Sequence, residues 1–185
     1  MKIRKLIMTA IAGVMALSMM AGCAENAVKE PVDTFQPQTK TVTFVDGKET
    51  KSLTIGTTGF GISHDGYVMT DLTMTNRMGV KVAIGDEPVV EEKEGAAADA
   101  VIYVSVDAYF DGSYQPVEAS ATGSDNMLMK KLNFYKENGV TTSEYTMNGS
   151  LYFKAPSDNW KVMNLVFTVT YGDNVQEIQF QYTNV

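Results

Sequence analysis

The chain has 185 residues, 44% hydrophobic and 20% charged, with 22 acidic side chains against 15 basic ones. That fits one ordinary globular domain with short extras, too apolar to be disordered along its length and too poor in Gly and Pro for a collagen-like fibre. A single Cys excludes a disulfide framework within the chain, and a single His leaves a His-based zinc site or catalytic triad hard to assemble.

Lys2, Arg4 and Lys5 precede an uncharged apolar run from Leu6 to Met20, followed by Ala21, Gly22 and Cys23. A charged start, an apolar core too short for a comfortable membrane span and a small-residue exit are the parts of a secretory signal peptide. Ala21-Gly22-Cys23 resembles a bacterial lipobox, with Met20 where that pattern more often has Leu. The resemblance implies cleavage after residue 22, a diacylglyceryl anchor on Cys23 and a place on the extracytoplasmic face of the cell membrane. Two acyl chains anchor stably where one is marginal. An ordinary signal peptide cut near Ala21 would instead leave Cys23 as a spare thiol. Cleavage removes three basic residues and no acidic one, leaving 12 against 22, a net of −10. Such a surface repels nucleic acid and anionic lipid, so no nucleic-acid partner is expected.

Residues 23–39 carry Pro31, Pro37, Glu25, Glu30 and Asp33 without helical or strand periodicity, which reads as a flexible tether. The folded domain is expected over 40–185. Its dominant period is two. Val42 and Phe44 lead into Asp46-Gly47, with Leu53 and Ile55 beyond, as in a hairpin. Tyr67–Thr75 offers Val68, Leu72 and Met74 to a core, and Val80–Ile84 is a short strand. From Asp99 to Phe110, Ala100, Ile102, Val104, Val106, Ala108 and Phe110 share one face. Ser124–Asn138 is either a helix ended by Gly139 or, around Leu132–Tyr135, a strand. Tyr145, Met147, Leu151 and Phe153 share a face, with Asn148-Gly149 a turn or a bulge. Leu165, Phe167, Val169 and Tyr171, the turn Gly172-Asp173-Asn174, then Ile178, Phe180 and Tyr182 form the clearest hairpin. About eight strands, at most one short helix and no βαβ pattern predict an all-β protein, an immunoglobulin-like antiparallel β-sandwich.

Thr146-Met-Asn-Gly-Ser-Leu-Tyr-Phe-Lys-Ala-Pro156 and Tyr67-Val-Met-Thr-Asp-Leu-Thr-Met-Thr-Asn76 resemble a family of bacterial lipoproteins with an immunoglobulin-like, secreted-antigen-type domain. The resemblance implies that fold and an envelope location, and no particular activity.

Chemistry-bearing residues are sparse. His64 and Asp65 are adjacent, and neighbouring strand residues point to opposite faces, so a turn is the plainer reading. Asp86, Glu87, Glu91, Glu92 and Glu94 form an acidic run that lacks the alternation and Gly of a calcium loop. Asp107 and Asp111, four apart on a strand, would stand about 13 Å apart, too far for a glycosidase pair unless the turn at Gly112 folds them together. Tyr103, Tyr109 and Tyr114 form either a contact strip or a face packed under another element. Met127 and Met129 flank Leu128 as an adaptable apolar patch or as core filling. No nucleotide or nucleophile motif is present. The expectation is a lipid-anchored binding module for an envelope protein, glycan or wall polymer, with no catalysis, cofactor or metal. The alternatives are a cation- or small-ligand-binding lipoprotein centred on Asp86–Glu94 and a hydrolase using Asp65, Asp107 and Asp111.

Overall fold

The computed structural model describes residues 36–62, 66–87, 100–118, 125–135 and 145–184. Among these residues there are nine strands: β1 (Gln38–Asp46), β2 (Glu49–Ile62), β3 (Tyr67–Arg77), β4 (Lys81–Ile84), β5 (Val101–Phe110), β6 (Ser113–Gln115), β7 (Thr146–Lys154), β8 (Val162–Tyr171) and β9 (Asn174–Thr183). No helix occurs among the described residues. One sheet has the order β1-β2-β3-β7, the other β4-β5-β8-β9, with β6 paired to β5. Placing β3 and β7 together in one sheet and β5, β8 and β9 in the other reproduces the B–E and C–F–G arrangement of an immunoglobulin-like sandwich. The β1–β2 hairpin extends the first sheet where strand A would lie.

The period-two faces bury as their spacing requires. Val42, Phe44, Leu53, Ile55, Val104, Ala108, Phe110, Leu165, Phe167, Ile178 and Phe180 all lie in one core between the sheets. Full burial of each such side chain contributes about 1.5–3 kcal/mol relative to exposure. The tight hairpins β1–β2, β5–β6 and β8–β9 turn on Gly47, Gly112 and Gly172, all with positive φ (62°, 85° and 57°). Positive φ is the backbone region that Gly enters without steric cost.

Several expectations change. The first strand begins at Gln38, and the described residues hold nine strands where about eight were expected. The sandwich is not wholly antiparallel, because β4 and β5 pair in parallel. Residues 85–100 lie between them, long enough for the crossover that a parallel pair needs. Asn148-Gly149 makes neither a turn nor a bulge: Thr73 and Leu72 pair with them in an unbroken ladder. Trp160, on a stretch that reads as a loop, is buried edge-on against Phe110 and Phe60.

Within Ser124–Asn138 the described residues, 125–135, form neither helix nor continuous strand. Met129 takes a left-handed φ of 62°, which interrupts either structure. The segment is a strap between the sheets. Met127 N–H donates to the Ser150 carbonyl (2.9 Å) and Ser150 N–H to the Asp125 carbonyl (2.8 Å), which covers the edge of β7. Met129 N–H then reaches the Ile84 carbonyl (2.8 Å), and Leu132 exchanges bonds with Val82 (2.7 and 3.1 Å), which covers β4. The opposite side is closed by side chains. Gln176 Nε2 donates to the Thr43 carbonyl (2.7 Å), and Thr43 N–H donates to Gln176 Oε1 (3.4 Å). Open edges invite pairing with other chains, and these bonds cover part of each side of the sandwich.

Candidate functional site

Cys23, His64, Asp65, Glu91, Glu92 and Glu94 lie outside the described residues. The other expected residues fall in separate places. Asp111 sits in the β5–β6 turn with φ 47°, and its carboxylate accepts N–H bonds from Lys161 (3.0 and 3.1 Å) and Val162 (2.9 Å). Those bonds make it a brace for the start of β8. Asp107 remains on the outward face of β5, so the two carboxylates do not form a working pair. The two methionines also separate: Met127 is core, while Met129 is 38% exposed. Tyr109 and Tyr114 stack obliquely, with centroids 5.9 Å apart, and Tyr114 is 53% exposed.

A polar group that the sequence does not advertise lies under the strap. Asp71 and Ser150 are register partners on β3 and β7. Ser150 Oγ donates to Asp71 Oδ1 (2.5 Å), and Asp125 Oδ2 stands 3.3 Å from the same hydroxyl. Tyr152 OH donates to both Asp125 oxygens at 3.2 Å. Burial and the bond to Asp125 raise the Tyr152 phenol above its ordinary pKa. Gly59 opposes Asp71 at the β2 bulge, where a Cβ would overlap the Asp71 carboxylate. Ser150 is buried, and its hydroxyl is held between two carboxylates, so this group glues the strap to the sheet.

Among the described residues, a notch of about 270 Å³ opens at the edge of β5, lined among others by Gly85, Asp86, Ser105, Val106, Asp107, Tyr114, Leu128 and Met129. It arises because β4 pairs with β5 only as far as Val104, and β6 pairs only from Ala108 onward. Successive residues of a strand aim their peptide groups to opposite edges. Val104 accepts from Gly85 N–H on the β4 side (2.9 Å), and Asp111 N–H bonds Val162 on the β8 side (2.8 Å). Even-numbered residues of β5 therefore address the β4–β6 edge, and the N–H and C=O of Val106 face the notch. Among the described residues neither group has a hydrogen-bond partner. Gly85 shapes the rim, since a Cβ there would stand 2.8 Å from Met129 Sδ and 3.0 Å from Leu128 Cδ1. Two sequence-singled groups, the Asp86 end of the acidic run and Asp107, thus share one opening with Tyr114 and Met129. Nothing in the linear pattern signals that β5, paired with β8 at Val106, has no strand on its other edge there.

Among the described residues, no three His, Cys, Asp or Glu side chains gather as a metal site. No family model, curated protein or solved structure matches this chain. The fold and the notch define the molecule as an all-β sandwich of immunoglobulin-like type with a small opening at a sheet edge, lined by apolar and acidic side chains.

Proposed function

We propose that the protein is a lipid-anchored binding module of the bacterial cell envelope and not an enzyme, held on the extracytoplasmic face of the membrane by a diacylglyceryl group on Cys23. The observation that carries this reading is the order of parts: a signal-like segment ending at the only Cys, then residues 24–37, then a sandwich that starts at Gln38. Those intervening residues span roughly 45 Å when extended, enough to hold an acidic domain off an anionic surface. A protein or glycan of the envelope is the expected partner class, and nucleic acid is not. The test is metabolic labelling with an alkyne fatty acid. Wild type should be labelled and should sediment with membranes, while Cys23→Ala should lose the label and become soluble. An unlabelled wild type, or a Cys23→Ala variant that stays on the membrane, overturns the anchor.

A second reading, cation binding, is favoured by one observation: Asp86 and Asp107 line the same notch. Two carboxylates and nearby carbonyls are the oxygen donors that calcium takes. A ligand that binds only the folded state raises its melting midpoint. No rise in midpoint at millimolar calcium removes this reading. The hydrolase reading has less support, since Asp111 is committed to the Lys161 and Val162 peptide groups.

A further inference from the structure

We infer that the notch at Val106 accepts one extended residue of a peptide that bears a basic side chain. This rests on the binding-module reading and names its ligand class. Val106 presents a donor and an acceptor side by side along a strand edge, and an extended peptide residue supplies the complementary pair, as in strand addition. The length of the opening limits the match. Paired segments end at Val104 and resume at Ala108, leaving three residues of edge, about 10 Å. A volume of about 270 Å³ suits a single residue rather than a long strand. Charge selects the side chain. Asp86 and Asp107 line the opening, and no Lys or Arg is among the described residues that line it. Leu128, Met129 and the Tyr114 ring offer an apolar wall on which the aliphatic stem of a Lys or Arg lies while its charged head meets the carboxylates.

The experiment uses the full-length protein, ¹⁵N-labelled and held in detergent micelles. It is titrated with the blocked tripeptide acetyl-Ala-Lys-Ala-amide, with the Glu and norleucine counterparts as comparators, and separately with calcium chloride. The Lys peptide should shift the amides of Val106 and Gly85 and slow hydrogen exchange at Val106, more strongly than either comparator. Asp86→Asn and Asp107→Asn should each weaken it about two- to fivefold, the size expected of a partly exposed charge pair. Both are surface changes, and unmoved amides elsewhere in the spectrum report that the fold is intact. Equal binding of the norleucine or Glu peptide, shifts confined to other surfaces, or saturation of the same amides by calcium with exclusion of the peptide would each overturn the inference. Fatty-acid labelling of Cys23 is read independently. Failure of the peptide alone sinks this inference, and failure of the label alone sinks the anchored-module reading.

Discussion

The side-chain amide of Asn76, at the end of β3, donates to the main-chain carbonyl of Leu132 at 3.1 Å across 56 residues of sequence. The same nitrogen reaches the carbonyls of Val80 (2.9 Å) and Asn133 (3.1 Å), while Oδ1 accepts the Met78 N–H (2.9 Å). Asn76 is fully buried, and its amide is held on both its nitrogen and its oxygen, so removing it strips these contacts from the turn after β3 and from the strap. Leaving a buried donor or acceptor unpaired costs about 1–3 kcal/mol. Asn76→Ala should therefore lower unfolding free energy by about 2–3 kcal/mol in urea titration. Asn76→Asp should do no better, because a carboxylate has no N–H to offer the carbonyls around it. A loss below 0.5 kcal/mol for either variant would show that the strap does not depend on this side chain.

Gly149 lies under the strap, where a Cβ would stand 2.4 Å from the Asp125 carbonyl oxygen and 2.5 Å from Met127 Cγ. Overpacking of this kind costs about 1–3 kcal/mol. Gly149→Ala should destabilise by that amount and speed amide exchange at Met127, as the strap lifts from β7. Gly172→Ala has open space around its Cβ and pays only for its positive φ, about 1 kcal/mol, with no change at Met127. Equal exchange at Met127 in both variants would contradict the assignment of Gly149 as the strap's seat.

Asp111→Ala removes the acceptors for the Lys161 and Val162 amides and places a β-carbon residue without a local polar group at φ 47°. Bonds of a charged acceptor to N–H contribute about 1.5–3 kcal/mol. We expect a loss of about 2 kcal/mol, with Asp111→Asn losing less, because Asn keeps one acceptor and tolerates the left-handed region. Chemical denaturation of the three proteins decides it. Equal loss for Ala and Asn would mean the carboxylate's bonds carry the brace and backbone strain adds little.

Burial holds the Tyr182 phenol well above its ordinary pKa, and the ring stacks on Phe60 with centroids 4.8 Å apart. The raised value means the folded state keeps its proton after the unfolded chain has begun to lose it near pH 10. The associated stability is therefore complete below about pH 10 and is lost as pH rises from there through the folded-state pKa, by about 1.4 kcal/mol per pH unit. Stability measured from pH 8 to 11.5 should fall less steeply at the alkaline end in Tyr182→Phe than in wild type. Parallel curves would place the alkaline loss on other tyrosines.

Much of the sandwich was legible because a half-buried strand repeats every two residues. Val42 and Phe44, Leu53 and Ile55, and Leu165 and Phe167 declare their faces without reference to anything distant. Trp160 was not legible, since Pro156, Ser157, Asp158 and Asn159 read as a loop whichever way the ring turns. Residues 125–135 misled for a related reason. Leu128 and Leu132 are spaced as on a helix, yet they bridge Ile84 and Val82 on β4. Asp107 and Tyr114 were singled out as residues, but their meeting at one opening was invisible.

Alternation and turn chemistry are local, so the class of the fold, the β1–β2 and β8–β9 hairpins and most of the core can be read from the sequence alone. The tertiary structure alone decided the parallel β4–β5 pair, the strap and the notch at Val106. Each depends on where one strand stops beside another, and a pairing limit between segments far apart in the chain leaves no mark on the periodicity of either.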